Sequence, residues 1–318
     1  MPNWGEVLTE IRTLRDQHAR DSATAADIVR RQYLSQLHEL TGRNVIAYYS
    51  GWLSKPGIAQ SDINDEDMNG FMMAVHSLDR TKGLDLLLHT PGGSMAATQA
   101  IVDYLHKMFG KDIRAIVPQL AMSAGTMIAC SCKNILMAKH SNLGPTDPHL
   151  NGIPAAGIIE EFKRAYDEIK ADPAMIPIWQ SIIGQYPPTF LSQCENAIEW
   201  ARAFVKDQLE SVMFEGEADA NNKAVLAVQR LTDYSGNKSH SRHIPFEECR
   251  DLIGLKVEAL EAIGNDYLQD LVLTIHHCYM HALMNTNAYK MVENHLGMAL
   301  VKQQQAVPQL VLGQQPGI

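Results

Sequence analysis

The chain has 318 residues, of which 46% are hydrophobic and 20% are charged. It is therefore long and apolar enough to bury a large core, and it is not a disordered acidic chain. The formal net charge is -9, and no basic run or basic patch with interleaved aromatic residues occurs. These features argue against nucleic acid or an anionic membrane surface as the main partner.

The apolar runs and the first residues of the chain indicate where in the cell the protein is expected. No run approaches about 18 uninterrupted apolar residues, the length that a membrane-spanning helix needs. The segment from Met1 to Glu6 lacks the basic-then-apolar pattern of a signal peptide. We therefore expect a cytoplasmic protein with no membrane span. The five cysteines are an odd and scattered set, typical of reduced thiols, and Cys130 and Cys132 are expected to be small core residues.

No motif for a metal ion or a cofactor is found in the sequence. The 13 histidines are dispersed, and neither an HExxH motif nor a paired CxxC motif occurs. We therefore expect no metal site and no cofactor.

The first part of the chain alternates charged and apolar residues at helical spacing. Residues 3–40 predict one or two amphipathic helices, broken near residues 21–24 by a cluster typical of a helix cap. The run from Asn44 to Leu53 is rich in β-forming residues and predicts the first core strand. A helix is predicted to begin at Ser61, with a core-facing side formed by Met68, Phe71, Met72, Val75 and Leu78.

Strands and helices then alternate. Leu84 begins an apolar run that stops at the breaker Thr90-Pro-Gly-Gly93, and residues 94–109 have helical periodicity. A second strand is predicted from Ile113 to Pro118, followed by a small-residue helix and a strand over residues 134–139. This alternation predicts an α/β fold of repeated β-α units with a parallel sheet buried on both faces.

Two glycines and one serine lie where these strands end. The bare backbone N–H groups at Gly92 and Gly93 lie near a helix N-terminus, as in an oxyanion hole. Ser123 lies a few residues past the end of the second strand and is a candidate nucleophile. The alternative is that both features serve only as helix starts with close packing.

The rest of the chain is predicted to be mainly helical. Glycine and two prolines make Ser141 to Pro148 a loop. Amphipathic patterns predict helices over 154–171, 189–213, 264–285 and 288–303, and a short helix from Pro245 that ends at Gly254. Residues 303–318 are too rich in glutamine and proline to fold alone.

The motif Thr90-Pro-Gly-Gly-Ser94, followed by Ala121-Met-Ser-Ala-Gly-Thr126, resembles the superfamily of the Clp protease proteolytic subunit and signal peptide peptidase A. Ser141 to Pro148, Gly152 to Pro154 and the segment from His240 to Val257 are most similar to the serine dehydrogenase (dehydratase) proteinase family of that superfamily. The resemblance covers roughly residues 44–260.

This resemblance implies a Clp protease/crotonase-like fold with helical additions at both ends. It divides the chain into an N-terminal helical arm (1–43), a catalytic domain (44–260) and a C-terminal helical extension with a flexible tail (261–318). It also implies a homo-oligomeric, ATP-independent serine peptidase that cleaves polypeptides through an acyl-enzyme. The oxyanion donors map to Gly93 and Ala124, and substrate contacts map to Gly92, Ser94 and Pro145.

The general base is left open. The Clp subunit carries a histidine in the loop after the nucleophile, whereas the matching position here carries Thr146 or Asp147. His149 follows two residues after Asp147 and is one substitute. Relatives of signal peptide peptidase A use a lysine further along, which maps to Lys163 or, less well, to Lys170. His240 with Asp147 as the orienting acid would make a Ser-His-Asp set in a rearranged chain order, since triads are defined by geometry and not by order.

Two other functions stay open from the sequence. An acyl-CoA enzyme of the crotonase type would use the same two N–H groups for an enolate, although no acidic base or CoA-binding feature is found. A catalytically inactive scaffold with this fold is the other alternative, because the base is not assigned.

Overall fold

The computed structural model describes residues 2–18, 22–262 and 266–304. The helices are α1 (Trp4–His18), α2 (Ser22–Thr41), α3 (Asp67–Val75), α4 (Met95–Phe109), α5 (Ala124–Cys130), α6 (Ala155–Ala171), α7 (Ile176–Ile183), α8 (Phe190–Gln208), α9 (Ala220–Leu231), α10 (Tyr234–Asn237) and α11 (Asp266–Asn285). Shorter 3-10 turns lie at Arg80–Lys82, Pro173–Met175 and Leu260–Ala262, and π-helical turns lie at Leu209–Met213 and Glu248–Ile253.

The strands are β1 (Asn44–Ser50), β2 (Leu84–His89), β3 (Ile113–Val117), β4 (Leu120–Ala121), β5 (Asn134–Met137), β6 (Asn142–Leu143), β7 (His149–Leu150), β8 (Ile153–Pro154), β9 (Ile244–Pro245), β10 (Val257–Ala259), β11 (Ala288–Asn294) and β12 (Ala299–Gln303). Seven of them form the main sheet in the order β10-β5-β3-β2-β1-β11-β12. The five strands from β10 to β1 are parallel, which confirms the predicted α/β architecture of repeated β-α units.

The sheet is covered on both faces, as its apolar strands predict. Ile46 and Tyr48 of β1 belong to one core, packed against α3, α4, α5, α8 and α9. Val45, Ala47 and Tyr49 point to the other face and pack against α1, α2 and α11. Alternation along the strand thus buries every residue of β1, and the N-terminal helices, predicted as an arm, form one of the two layers.

The prediction of a helix over 288–303 is wrong. These residues form β11 and β12, an antiparallel hairpin that joins the main sheet beside β1. Two polar residues of β11 are buried with partners from distant parts of the chain: Lys290 binds Asp67, and Glu293 binds Arg30. Among the described residues from 266 to 304, α11 is helical and β11 and β12 are strands. Residues 305–318, predicted not to fold alone, lie outside the described residues.

The start of the third helix also differs from the prediction. The helix begins at Asp67 instead of Ser61, because the Asp67 carboxylate accepts a hydrogen bond from the N–H of Asn64 and so closes the turn before it. Ile63 is left extended and forms a parallel bridge with Gly93. Met72, expected in the core, is 52% exposed.

Three further findings bear on the predictions. The five cysteines are free and buried, in agreement with the expected reduced thiols. Among the residues that the structure describes, no helix has both the length and the hydropathy that crossing a bilayer requires. The division of the chain at residues 43 and 260 stays a prediction.

Candidate active site

The Pro-Gly-Gly turn holds two residues in backbone conformations that favour glycine. Gly92 has φ of 93° and Gly93 has φ of 152°. A Cβ atom on Gly93 would lie 2.3 Å from the backbone nitrogen of Ile63, and one on Gly92 would lie 2.7 Å from the Cβ of Ser123. The glycines are therefore required by close contact on both sides, and they allow Ser123 to lie directly against the turn.

The extended segment at Ile63 orients the N–H of Gly93. Ile63 donates its N–H to the carbonyl of Gly92 (2.7 Å), and Ser94 donates its N–H to the carbonyl of Ile63 (2.8 Å). Successive N–H groups of an extended chain point to opposite sides. The N–H of Gly93 therefore points away from Ile63. Ser94 then caps α4, its hydroxyl accepting from the N–H of Ala97.

Ser123 occupies a sharp turn between β4 and α5. Its φ of 52° and ψ of -116° lie outside the regions that ordinary residues populate. The turn is fixed on both sides, since Met122 donates its N–H to the carbonyl of Thr90 and Gly125 donates its N–H to the carbonyl of Met122. The Ser123 side chain does not cap α5, so its hydroxyl is not consumed by the helix start.

Two histidines contact one aspartate beside this turn. Nδ1 of His240 lies 2.9 Å from Oδ1 of Asp147, and Nε2 of His149 lies 3.3 Å from Oδ2 of the same carboxylate. The two imidazole rings pack with their centroids 4.0 Å apart. Burial by itself raises the pKa of Asp147, but the hydrogen bonds from both histidines outweigh it and hold the pKa below its usual value. Asp147 is therefore a carboxylate that accepts from two rings.

The turn, the serine and the His-Asp-His cluster line one cavity of about 560 Å³. Its wall includes the predicted residues Gly92, Gly93, Ser94, Ser123, Ala124, Thr146, Asp147, His149 and His240. The structure thus brings together the predicted nucleophile, the predicted oxyanion donors and two of the predicted base candidates.

The lysine candidates lie elsewhere. Lys163 and Lys170 are exposed on α6 and do not line the cavity. The buried side of α6 is formed by Ala155, Ile158 and Ala165, so the lysines fall on its solvent side. Pro145, predicted as a substrate contact, is buried and does not line the cavity. Neither lysine lines the cavity that contains Ser123.

The residues of the wall that were not predicted include Asp62 and Trp200. Asp62 lines the cavity because the segment before α3 is extended, and Trp200 lines it from α8, with its indole N–H donated to Gln99. A signal for the first was present in the sequence: Asn64 and Asp67 are spaced as a turn-closing pair, which places the helix start after them. No local signal indicates Trp200, since its position depends on how α8 packs.

Comparison with known proteins identifies a family for this sequence. The sequence model of the family described as ClpP-like SDH-type serine proteinase matches residues 28–260. An uncharacterized protein of Methanocaldococcus jannaschii is 31% identical over 196 residues, which are 62% of this chain and 60% of that protein. A second uncharacterized protein of the same organism is 34% identical over 107 residues, 34% of this chain and 36% of that protein.

A shorter similarity points to the same group. The proteolytic subunit of the ATP-dependent Clp protease of Streptococcus uberis is 40% identical over 60 residues, 19% of this chain and 30% of that protein. The chain therefore spans less than two thirds of the length of each of these relatives. The family match, in contrast, covers most of the chain and includes the Gly-Gly turn, Ser123 and the His-Asp-His cluster. The chain belongs to the family of ClpP-like SDH-type serine proteinases.

Proposed function

We propose that the protein is a serine peptidase that cleaves polypeptides through an acyl-enzyme on Ser123, with His240 as general base and Asp147 as the acid that orients it. The observation that carries this proposal is the 2.9 Å contact between Nδ1 of His240 and Oδ1 of Asp147, in the cavity that Ser123 lines. Asp147 accepts a hydrogen bond from Nδ1–H of His240, which leaves the lone pair of the ring on Nε2. That nitrogen then takes the hydroxyl proton as Ser123 attacks.

The oxyanion of the tetrahedral intermediate is stabilised by the backbone N–H groups of Gly93 and Ala124. The orientation of Gly93, fixed by the bridge to Ile63, supports its part in this hole. A lost donor in such a site typically costs about 3 kcal/mol of transition-state stabilisation. His240 then gives its proton to the leaving amine, and water hydrolyses the acyl-enzyme by the same base.

Compared with the Clp subunit, the chain positions of the histidine and the aspartate are exchanged. The loop after the nucleophile carries the aspartate here instead of the histidine, and the later segment carries the histidine. A hydrogen-bonded pair works in either chain order because the reaction depends on geometry. His149 is the second base candidate. Its contact with Asp147 is longer, at 3.3 Å, so we assign it to holding the carboxylate.

We further propose that hydrolysis needs no ATP and that the chain assembles into a homo-oligomer, as ClpP-like proteins typically do. Light scattering of the purified chain tests the second part, and a monomeric mass contradicts it. Peptide hydrolysis in the absence and presence of ATP tests the first, and a rate that depends on ATP contradicts it.

A panel of single alanine variants tests the residue roles. We expect Ser123→Ala to abolish hydrolysis of an unstructured polypeptide, and His240→Ala and Asp147→Ala to lower kcat by at least about 10³-fold. Lys163→Ala is the control and should keep the full rate. Full activity of Ser123→Ala would refute the peptidase mechanism, and loss of activity in Lys163→Ala with normal activity in His240→Ala would assign the base to the lysine.

A further inference from the structure

The three polar side chains beside Ser123 also form a donor set for a metal ion. One nitrogen of His149, one nitrogen of His240 and a carboxylate oxygen of Asp147 all lie within 4.8 Å of one another. Two imidazoles and one carboxylate are a common set of protein ligands for Zn²⁺, with water in the remaining position. The ring nitrogens that face Asp147 are those that would face a shared ion.

We propose that Asp147, His149 and His240 bind a divalent transition metal ion, with Zn²⁺ preferred, and that the bound ion inhibits the peptidase. The second part rests on the proposed function, since it takes His240 as the general base. The first part rests on the donor geometry alone.

The existing distances are close to those of a tetrahedral site. Zn²⁺ binds nitrogen and oxygen at about 2.0–2.1 Å, so its ligand atoms lie about 3.3 Å apart. The contacts of Asp147 are 2.9 Å to His240 and 3.3 Å to His149. These two contacts are made by different oxygens, Oδ1 and Oδ2, whereas the ion takes one of them. The separations between the three chosen ligand atoms, at most 4.8 Å, must therefore shorten where they exceed about 3.3 Å. Swings of the two imidazole rings, which are about a quarter exposed in each case, can supply that change.

The surroundings of the cluster allow a metal ion to enter and leave space for a fourth ligand. Asp147, His149 and His240 line the cavity that also contains Ser123, so an ion can arrive from the side on which substrate binds. The carboxylate itself is nearly buried, with 4% of its side chain exposed. A fixed anion with two movable imidazoles next to open space corresponds to the arrangement of metal sites that keep one position for water.

Metal binding and catalysis exclude each other because they need different tautomers of His240. In the peptidase, Nδ1 carries a proton and donates a hydrogen bond to Asp147, and Nε2 has the lone pair that takes the serine proton. In the metal complex, the lone pair of Nδ1 binds the ion, and the single ring proton moves to Nε2. The ring then has no lone pair left for Ser123. No proton is gained or lost by the neutral ring, and removal of the ion restores the active tautomer.

Metal binding is tested first on the full chain without reference to activity. We expect wild type and Ser123→Ala to bind one Zn²⁺ per chain in competition with a chromogenic chelator. Co²⁺ should bind at the same site with the intense visible absorption of a four-coordinate ion. His149→Gln and His240→Gln should weaken the binding by more than about 100-fold, since even outer-shell losses cost about 10- to 100-fold.

His243→Gln is the matched control, because His243 is an exposed histidine three residues from His240 and lies outside the cluster. It should leave binding unchanged. Equal binding by wild type and both cluster variants, or loss of binding in His243→Gln alone, would refute the site and indicate adventitious binding by surface histidines.

Inhibition is tested on the wild type. Stoichiometric Zn²⁺ should lower the rate of peptide hydrolysis at least tenfold, and a chelator should restore it. Stoichiometric binding at the cluster with an unchanged rate would refute the inhibition. If wild type hydrolyses no peptide with or without a chelator, the proposed function fails, while the binding measurements on Ser123→Ala and the histidine variants still decide the metal site.

Discussion

Nδ1 of His240 lies 2.9 Å from Oδ1 of Asp147, although the two residues are 93 positions apart in the chain. The contact joins the loop after β6 to the segment before β9, and both segments line the cavity at Ser123. In the proposed mechanism, this contact supplies the general base and the orienting acid for Ser123.

The first prediction concerns the role of Asp147. Asp147→Asn keeps the size of the side chain but presents an amide N–H or a weaker acceptor to His240, which favours the wrong tautomer of the ring. We expect kcat to fall by about 10³- to 10⁴-fold with little change in KM. Steady-state kinetics of peptide hydrolysis measure this, with circular dichroism to establish that the variant is folded. A variant within tenfold of the wild-type kcat would show that Asp147 does not orient the base.

The second prediction concerns the contact between Gly93 and Ile63. Gly93→Ala places a methyl group 2.3 Å from the Ile63 nitrogen at a φ of 152°, so the bridge that orients the oxyanion N–H must open. We expect a loss of more than about 3 kcal/mol in the free energy of unfolding and loss of hydrolysis.

Gly110→Ala is the control for this change. Gly110 also has a positive φ, of 63°, but a Cβ there meets no atom within 4 Å. Urea unfolding should give a cost of about 2 kcal/mol for this variant, from strain at its φ of 63° and ψ of -145° alone. Equal costs for both variants would mean that strain at φ alone accounts for Gly93, without the contact to Ile63.

The third prediction concerns a buried ion pair behind the cavity. Lys290 of β11 is 1% exposed and lies 2.9 Å from the Asp67 carboxylate, which also accepts a hydrogen bond from Tyr48. The same ammonium group donates to the carbonyl of Asp62, next to the Ile63 bridge. Lys290→Met leaves the buried Asp67 carboxylate with Lys302, 3.4 Å away, as its remaining cation. We therefore expect a loss of about 3 kcal/mol in the free energy of unfolding, at the lower end of the cost of breaking a buried pair.

A double variant separates charge from packing in this pair. Lys290→Met combined with Asp67→Leu removes both charges and should recover part of the stability, because a buried pair replaced by apolar groups is often nearly neutral. Both the single and the double variant should hydrolyse peptide more slowly than wild type, since the hydrogen bond from Lys290 to the carbonyl of Asp62 is missing in each. Recovery of the hydrolysis rate in the double variant would show that this hydrogen bond does not position the cavity wall.

The fourth prediction concerns pH. His89 is fully buried among Tyr49, Trp52 and His276, and burial lowers its pKa to about 3. In the unfolded chain a histidine has a pKa of about 6.5. Between these values the unfolded state binds a proton that the native state does not, so stability falls as pH decreases from about 6.5 towards 3. His89 contributes a slope of up to about 1.4 kcal/mol per pH unit within this window and none above it.

Urea unfolding of wild type and His89→Leu across this range measures the effect. The free energy of unfolding of the variant should depend less steeply on pH, because unfolding no longer includes the uptake of up to about one proton by residue 89. Other buried histidines, such as His295, retain part of the pH dependence. An unchanged slope in His89→Leu would contradict the assignment.

The parallel sheet and the serine turn could be predicted because their signals are local. Six buried residues of β2, four of them leucine, mark a strand covered on both faces, and Gly92-Gly93 and Ser123 lie directly at strand ends. The β11-β12 hairpin could not be predicted in the same way. Its buried Lys290 and Glu293 are stabilised by Asp67 and Arg30 from distant parts of the chain, and no local pattern reveals those partners.

The general base could not be assigned from the sequence, for a related reason. Three candidates for the general base had chain positions compatible with that role: Lys163, His149 and His240. The packing of α6 and the path of residues 237–245 distinguish them, and neither can be read from the sequence. Asp147 as a shared partner of two histidines is likewise a tertiary feature, which is why the sequence predicted no metal site. The sequence carries the residue types, whereas the donor geometry arises from segments far apart in the chain.

A fluorophosphonate probe followed by intact-protein and peptide mass spectrometry tests the central claim most directly, because only an activated serine reacts. Ser192→Ala, an exposed serine of α8, serves as the control for labelling specificity. The account predicts one adduct per chain on Ser123 in wild type and in Ser192→Ala, with labelling lost in Ser123→Ala and slowed by at least about 10³-fold in His240→Ala. An unlabelled wild type, or labelling of Ser123 at the same rate in His240→Ala, would contradict it.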